Sequence, residues 1–278
     1  MMRHFAADDG LMLAYDDQGA GTPLLCLAGL TRNMDDFEPV LDHFADSARV
    51  IRLDMRGRGR SGHDPDFMNY NLIREGRDAL ALLDHLGLER AAILGTSRGG
   101  LIAMVLAMGH HDRLLGVCLN DIGPLVDPRG LAYIMGHLGK RPGLADFDAA
   151  AKRLEVAMQD RFPGVSRATW REYARRVWDE APDGLALRYD PRLRNAVSEA
   201  SATDALPDLW PTFDALAGLP VALIRGANSD ILSAETAAEM RRRRPDMIFA
   251  EVADRGHVPF LDEPESLAAI RAFLKAVA

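Results

Sequence analysis

The segment Gly95-Thr96-Ser97-Arg98-Gly99 carries the residues whose types and spacing point most clearly to chemistry. It fits the pattern G-x-S-x-G, between an apolar run at 91–94 and a helical pattern at 101–108. A sharp turn from strand to helix exposes the serine hydroxyl, and the glycines beside it allow the backbone to pack closely. The helix N-terminus favours negative charge, so the amide of Arg98 is expected to donate to an oxyanion. The segment predicts a nucleophile at Ser97, with a plain strand–helix turn as the alternative.

A serine hydroxyl needs a general base before it can act as a nucleophile. Of the eight histidines, only His257 lies in a loop after a late strand, within Asp254-Arg255-Gly256-His257. His110 and His111 are adjacent in the chain and do not share a helix face, which argues against a metal pair. We therefore predict that His257 is the base, with a structural histidine as the alternative.

An aspartate is needed to orient the histidine, and two candidates follow predicted strands. Asp230 ends the loop Arg225-Gly226-Ala227-Asn228-Ser229-Asp230, directly after a strand at 221–224. Asp121 directly follows the strand that ends at Asn120. The sequence favours Asp230 as the acid, and Asp121 is the alternative.

Strands and helices alternate along most of the chain. Apolar runs predict strands at 11–17, 24–28, 49–54, 91–94, 114–120, 220–225 and 247–252. Helical periodicity predicts helices at 35–44, 70–86, 101–108, 234–243 and 265–277. This alternation is typical of an α/β fold with a mainly parallel central sheet flanked by helices on both faces.

The alternation stops between Pro124 and about Phe213, where no convincing strand is present. This part is helical and loop-rich, and all three tryptophans of the chain lie within it. We predict a helical cap at 124–213, inserted into a core formed by 1–123 and 214–278. The aromatic candidates for an apolar acyl pocket are Trp170, Trp178, Tyr189 and Trp210. The alternative is that these rings anchor the cap to the core.

The overall charge and the N-terminal segment restrict the location and the partners. The formal net charge is -8, which makes nucleic acid or an anionic membrane surface an unexpected partner. The start of the chain has no apolar signal region, and no apolar run reaches the ~18 residues of a membrane span. A cytoplasmic protein is expected. Cys26 and Cys118 lie in apolar runs and are expected to be buried, reduced thiols.

Taken together, these residues resemble the α/β-hydrolase superfamily over the whole chain, including its order of serine, acid and histidine. Leu27-Ala28-Gly29-Leu30 is similar to the family's oxyanion loop, which implies a second backbone donor at Leu30. Ala28 stands where the family often has histidine. The turn at 54–61 matches D-x-R-G-x-G-x-S, and 256–265 resembles the family's histidine loop and last helix.

Position 98 departs from the family pattern, since Arg98 stands where an uncharged residue is usual. Its side chain could hold acids of the cap or the core, or meet a substrate carboxylate. The glycines Gly57, Gly59 and Gly62 also fit a dinucleotide-binding pattern, but the residues after them do not open a helix. Nicotinamide binding is therefore not expected. No metal-ligand spacing is visible, and neither a metal nor an organic cofactor is expected.

The resemblance implies a serine hydrolase that cleaves carboxylic esters through an acyl-enzyme on Ser97. The substrate would be a small molecule: a small or medium ester, a lactone or a polyester. Hydrolysis of an enol-lactone or of a carbon–carbon bond uses the same three residues and stays open. A non-catalytic ligand receptor on the same fold is a further alternative, and the oligomeric state is open.

Overall fold

The computed structural model describes residues 2–200 and 208–278. The strands in chain order are β1 (Arg3–Ala6), β2 (Met12–Gln18), β3 (Thr22–Leu27), β4 (Ala48–Leu53), β5 (Ala91–Thr96), β6 (Leu114–Asn120), β7 (Trp178–Ala181), β8 (Gly184–Leu187), β9 (Val221–Gly226) and β10 (Ile248–Val252). The helices are α1 (Glu38–Phe44), α2 (Leu72–His85), α3 (Arg98–His110), α4 (Pro128–His137), α5 (Phe147–Ala157), α6 (Arg167–Val177), α7 (Leu193–Ala200), α8 (Trp210–Asp214), α9 (Ala234–Arg243) and α10 (Pro264–Ala276).

Eight of the strands form one sheet in the order β1-β2-β4-β3-β5-β6-β9-β10. The pairs from β4 through β3, β5, β6 and β9 to β10 are parallel, whereas β1 and β2 are antiparallel. The predicted mainly parallel α/β fold is confirmed. Sequence reasoning missed β1, because this edge strand is four residues long and has only one buried side chain.

Both faces of the sheet are covered by helices, as a buried parallel sheet requires. Leu25 and Ile93 point to the face that carries α2 and α3, where Leu82 and Ile102 are also buried. Cys26, Leu94 and Cys118 point to the opposite face, with side chains of α1 and α10. Both cysteines are buried and unpaired, as expected from their apolar surroundings.

The predicted helices are present, but some of their ends differ. The helix expected at 101–108 is α3 and begins at Arg98, directly after Ser97. Its first turn contains Gly99 and Gly100, which carry no apolar periodicity and so left the start of the helix unmarked. This earlier start brings the N-terminus of α3 to Ser97.

The segment at 124–213 contributes no strand to the main sheet within its described residues, and positions 201–207 lie outside the description. It holds α4 to α8 and also a hairpin in which β7 pairs antiparallel with β8. The expectation that this segment lacks strands was therefore wrong, because four-residue strands are too short to show a period of two. Phe147, Phe162 and Trp170 form an apolar cluster within it, against which Phe260 packs. None of the described helices could span a bilayer.

Candidate active site

Ser97 lies at the junction of β5 and α3, in a backbone conformation that is unfavourable for its residue type. Its φ is 50° and its ψ is −116°, within the left-handed half of the map that side chains with a Cβ avoid. The neighbours must be small: a Cβ at Gly95 would lie 2.5 Å from the amide nitrogen of Gly100, and one at Gly99 would collide with the Leu27 carbonyl. The strained turn lifts the Ser97 hydroxyl above the end of the sheet.

His257 links this serine to a carboxylate. Its Nε2 lies 3.0 Å from Oγ of Ser97, and its Nδ1 lies 2.8 Å from Oδ2 of Asp121. An ionised carboxylate can only accept hydrogen bonds, so Nδ1 carries the ring proton in this arrangement. Nε2 is then the acceptor for the serine hydroxyl, which is the protonation state that a general base needs.

Asp121 is therefore the acid that contacts His257, and the sequence-based choice of Asp230 is corrected. Asp121 directly follows β6, is fully buried and has a left-handed φ of 54°. Its Oδ1 accepts the amide of Gly226 at 2.8 Å, and its Oδ2 accepts the hydroxyl of Ser229 at 2.6 Å. These donors come from the end of β9 and the loop after it, so the neighbouring strand fixes the carboxylate.

Asp230 lies beyond this contact, on the outer part of the loop. Its Oδ2 accepts a hydrogen bond from Nη1 of Arg161 at 2.8 Å, and the Arg161 guanidinium lies 4.0 Å from the centre of the Tyr133 ring. Arg161 and Tyr133 both belong to the segment 124–213. Asp121 and Asp230 both follow strands that end at the same edge, and the sequence cannot show which side chain turns towards the histidine.

The loop at Gly29 and the first residue of α3, Arg98, both lie beside Ser97. A Cβ at Gly29 would lie 3.7 Å from Cβ of Ser97, so the loop that contains Leu30 lies against this serine. The Gly29 carbonyl accepts the amide of Arg32 at 3.1 Å, which closes a tight turn. Within residues 2–200 and 208–278, neither the Leu30 nor the Arg98 amide has a hydrogen-bond acceptor. Both N–H groups could therefore donate to a bound molecule.

The side chain of Arg98 points into the core. Its Nε donates to Oε2 of Glu75 at 2.7 Å, and its Nη2 donates to the Tyr70 carbonyl at 3.0 Å. Glu75 is on α2, so the structure selects the core acid from the alternatives that the sequence left open. Sequence reasoning did not single out Glu75, because it lies in an ordinary amphipathic helix with no motif around it.

The D-x-R-G-x-G-x-S turn supports the site without entering it. Asp54 is fully buried and accepts the amides of Met34 at 2.7 Å and Arg60 at 2.8 Å. Burial raises the pKa of the Asp54 carboxyl to about 6, despite these hydrogen bonds. Arg56 forms a bidentate pair with Asp78, at 2.6 and 2.7 Å. These contacts stabilise the turn after β4.

The four aromatic residues predicted for an acyl pocket lie in different places. Trp170 is buried in a cluster with Phe162 and Phe260, and Phe260 follows His257 by three residues. Trp178 is half-buried at the edge of the same cluster. The Tyr189 hydroxyl accepts the amide of Gly139 at 3.0 Å. The ring of Trp210 lies under Arg243 of α9, with its centre 3.9 Å from the guanidinium. The Trp170 cluster is the one that borders the histidine loop.

The sequence and the fold both match a known family. A family model described as the alpha/beta hydrolase fold matches residues 22–264. The chain belongs to the α/β-hydrolase family. The crystal structure of an α/β hydrolase from Novosphingobium aromaticivorans has a TM-score of 0.91 and 39% sequence identity, and covers 99% of this chain and 98% of that one.

Two curated relatives cover most of the chain. A 3-hydroxybutyrate-oligomer hydrolase of Cupriavidus necator is 34% identical over 253 residues, which are 88% of this chain and 85% of the relative. A 2-(acetamidomethylene)succinate hydrolase of Mesorhizobium japonicum is 26% identical over 267 residues, which are 96% of this chain and 92% of the relative. This chain is thus a hydrolase of the α/β-hydrolase family.

Proposed function

We propose that this protein is a serine hydrolase of carboxylic esters, with Ser97 as the nucleophile, His257 as the general base and Asp121 as the acid. The observation that carries the proposal is the continuous path from Ser97 Oγ to His257 Nε2 at 3.0 Å and from His257 Nδ1 to Asp121 Oδ2 at 2.8 Å. A nucleophile within reach of a base that a third group orients is the arrangement for acyl transfer.

The reaction would proceed in two steps. Ser97 Oγ attacks the carbonyl carbon while its proton moves to Nε2 of His257, and the amides of Leu30 and Arg98 donate to the oxyanion. His257 then gives this proton to the leaving alkoxide, and the acyl group stays on Ser97. Water attacks the acyl-enzyme, transfers a proton to His257, and the serine oxygen regains that proton as the acid product leaves.

Asp121 would act by holding the imidazole. Its carboxylate keeps the proton on Nδ1 and stabilises the imidazolium that forms at each step. The donors Gly226 and Ser229 would keep the carboxylate in place during both steps. The segment 124–213 would serve as the cap, and its Trp170 cluster would form part of the wall beside the histidine loop.

The name of one relative narrows the substrate within the ester class. The relative from Cupriavidus necator, at 34% identity, is named a hydrolase of 3-hydroxybutyrate oligomers. In such an oligomer, ester bonds join short hydroxy acids. Oligoesters of short hydroxy acids are therefore the first natural substrates to test, in agreement with the polyester among the substrates that the sequence suggested.

Hydrolysis of p-nitrophenyl esters of increasing acyl length by the wild type and by Ser97→Ala tests the proposal. The dimer and trimer of 3-hydroxybutyrate are assayed in parallel by the release of the monomer. We expect turnover by the wild type with a preference for one acyl length, and a loss of at least about 10³-fold in Ser97→Ala.

Equal and negligible rates for both proteins on every ester would refute the ester hydrolase. If the wild type hydrolyses the p-nitrophenyl esters but neither oligomer, the protein is still an ester hydrolase. The hydroxy acid oligomers are then excluded as substrates. A wild type that binds esters without turnover would instead support the ligand receptor. Circular dichroism of both proteins provides the control for folding.

A further inference from the structure

A buried charge cluster connects the two segments that carry the oxyanion amides. Glu75, Arg58 and Arg98 form it, and Glu75 lies in the middle. Glu75 Oε2 accepts Nε of Arg98 at 2.7 Å, and Oε1 accepts Nη1 of Arg58 at 2.7 Å and Nη2 of Arg98 at 3.1 Å. The carboxylate is fully buried, and the Arg58 side chain is 1% exposed.

Each arginine reaches one side of the oxyanion hole. The Arg98 backbone supplies one of the amides, so its side chain ties that residue to α2. Arg58 Nε donates to the carbonyl of Leu30 at 2.9 Å, and the Leu30 amide is the other oxyanion donor. Two segments that are far apart in the sequence are thus held by one carboxylate.

Glu75 supplies the negative charge that holds the two arginines of the cluster together. Burial by itself raises the pKa of the Glu75 carboxyl, but the charges and hydrogen bonds of Arg58 and Arg98 outweigh it, so its pKa stays below the usual value. Without the negative charge, two guanidinium groups would face each other in a buried space. Like charges at short distance repel strongly when little water is present. The arginines would separate, and Leu30 and Arg98 would move with them.

Stability alone does not explain the cluster. Apolar side chains of the same volume often replace buried ion groups with no loss of stability. Nη2 of Arg58 is buried without a hydrogen-bond partner in the described part of the chain, which is itself a cost. A geometric role accounts better for a cluster whose contacts end at both oxyanion segments.

We infer that Glu75 is a positioning residue, which sets the spacing of the two oxyanion amides through Arg58 and Arg98. The inference rests on the proposed function, because an oxyanion hole matters only if Ser97 attacks a carbonyl. Misplacement of the amides weakens transition-state binding and leaves binding of the substrate almost unchanged. The expected signature is a loss in kcat with little change in KM.

Glu75→Gln keeps the size of the side chain and removes its charge. Its matched control is Asp78→Asn, which removes another fully buried carboxylate from the same helix. Asp78 pairs with Arg56 and has no hydrogen bond to Leu30, Arg58 or Arg98 within the described residues. Glu75→Gln leaves the charges of Arg58 and Arg98 without their shared carboxylate, whereas after Asp78→Asn the Arg56 guanidinium keeps Asp64 and Asp9. Both substitutions remove charged hydrogen bonds to arginine, so both are expected to lower the melting temperature. Only Glu75→Gln is expected to affect the oxyanion hole.

Kinetics on a p-nitrophenyl ester and inhibition by a trifluoromethyl ketone provide the readout. Ser97 adds to this ketone to give a hemiketal whose oxyanion occupies the hole, so its affinity reports the spacing of the amides. We expect Glu75→Gln to lose about 10- to 100-fold in kcat and a similar factor in ketone affinity, with KM within about threefold. Asp78→Asn should keep both values within about threefold.

Wild-type kcat and ketone affinity in Glu75→Gln would overturn the inference, and so would equal losses in Asp78→Asn. Either result leaves the proposed function intact, provided that the wild type is active and Ser97→Ala is not. If Glu75→Gln does not fold, Arg58→Lys replaces it, because one ammonium cannot reach both Glu75 and the Leu30 carbonyl. The same loss in kcat and ketone affinity is expected, and its absence overturns the inference.

Discussion

Oδ2 of Asp121 lies 2.8 Å from Nδ1 of His257, while Asp230, on the loop after the adjacent strand, pairs with Arg161. This difference predicts opposite outcomes for two similar substitutions. Asp121→Asn should lose about 10³- to 10⁴-fold in kcat, because an amide in place of the carboxylate favours the wrong tautomer of His257. Asp230→Asn should stay within about fivefold of the wild type.

Steady-state kinetics on one p-nitrophenyl ester at a fixed pH provides the comparison. Both variants lose one negative charge and keep the side-chain volume, so each is the control for the other. A large loss in Asp230→Asn together with an active Asp121→Asn would contradict the assignment of the acid.

Ser229 is expected to contribute to turnover without touching the substrate. Its hydroxyl donates to Oδ2 of Asp121 at 2.6 Å, and its removal leaves the carboxylate held by Gly226 and His257. Ser229→Ala should lower kcat about 10-fold and leave KM unchanged, since a hydrogen bond to a charged group is lost. Ser233→Ala removes the N-cap of α9 and serves as the control. It should reduce stability by about 1 kcal/mol without an effect on kcat, and equal kcat values for both variants would contradict this prediction.

Trp170 is expected to be important for stability. It is 2% exposed and packs edge-to-face against Phe162, Tyr173 and Phe260. Trp170→Ala should lower the free energy of unfolding by about 3–5 kcal/mol, because it opens a large cavity. The half-buried Trp178 offers a matched control, and Trp178→Ala should cost less than half as much. Urea unfolding, monitored by circular dichroism, measures the free energy of unfolding of both variants. Similar losses in the two variants would contradict the prediction that Trp170 contributes more to stability than Trp178.

The buried carboxyl of Asp54 should make stability depend on pH. Burial raises its pKa to about 6 in the folded protein, from 3.8 in the unfolded chain. Between these values the folded state binds more protons, so the contribution of Asp54 to stability falls as the pH rises. The shift corresponds to about 3 kcal/mol at most.

Urea unfolding of the wild type and of Asp54→Asn at pH 4.5 and pH 7 separates this group from the others. The wild type should lose stability relative to the variant between the two pH values, because asparagine does not titrate. The comparison uses the difference between the two proteins at each pH, in which the contributions of the groups that both proteins share cancel. If the wild type instead gains stability relative to Asp54→Asn as the pH rises from 4.5 to 7, the prediction is wrong.

Local patterns were sufficient for much of the fold. The apolar runs indicated the six longer parallel strands, and helical periodicity indicated α2, α9 and α10 within a few residues. The glycines around Ser97 identified the turn from strand to helix. That turn is made by contiguous residues, and only residues without a side chain fit at positions 95 and 99. The short β1 and the β7–β8 hairpin escaped, since four residues give too little pattern to distinguish a strand.

The sequence by itself determined the alternation of strands and helices, the strained turn at Ser97 and the late loop that carries His257, because each depends on neighbours along the chain. Only the tertiary structure decided which aspartate meets the histidine and where the Arg98 side chain lies. Those contacts depend on partners that folding brings together from a distance: Gly226 and Ser229 on Asp121, Arg161 on Asp230, and Glu75 on Arg98. Two aspartates that follow adjacent parallel strands have the same sequence context. Only the partner that each one contacts in the folded protein distinguishes their roles.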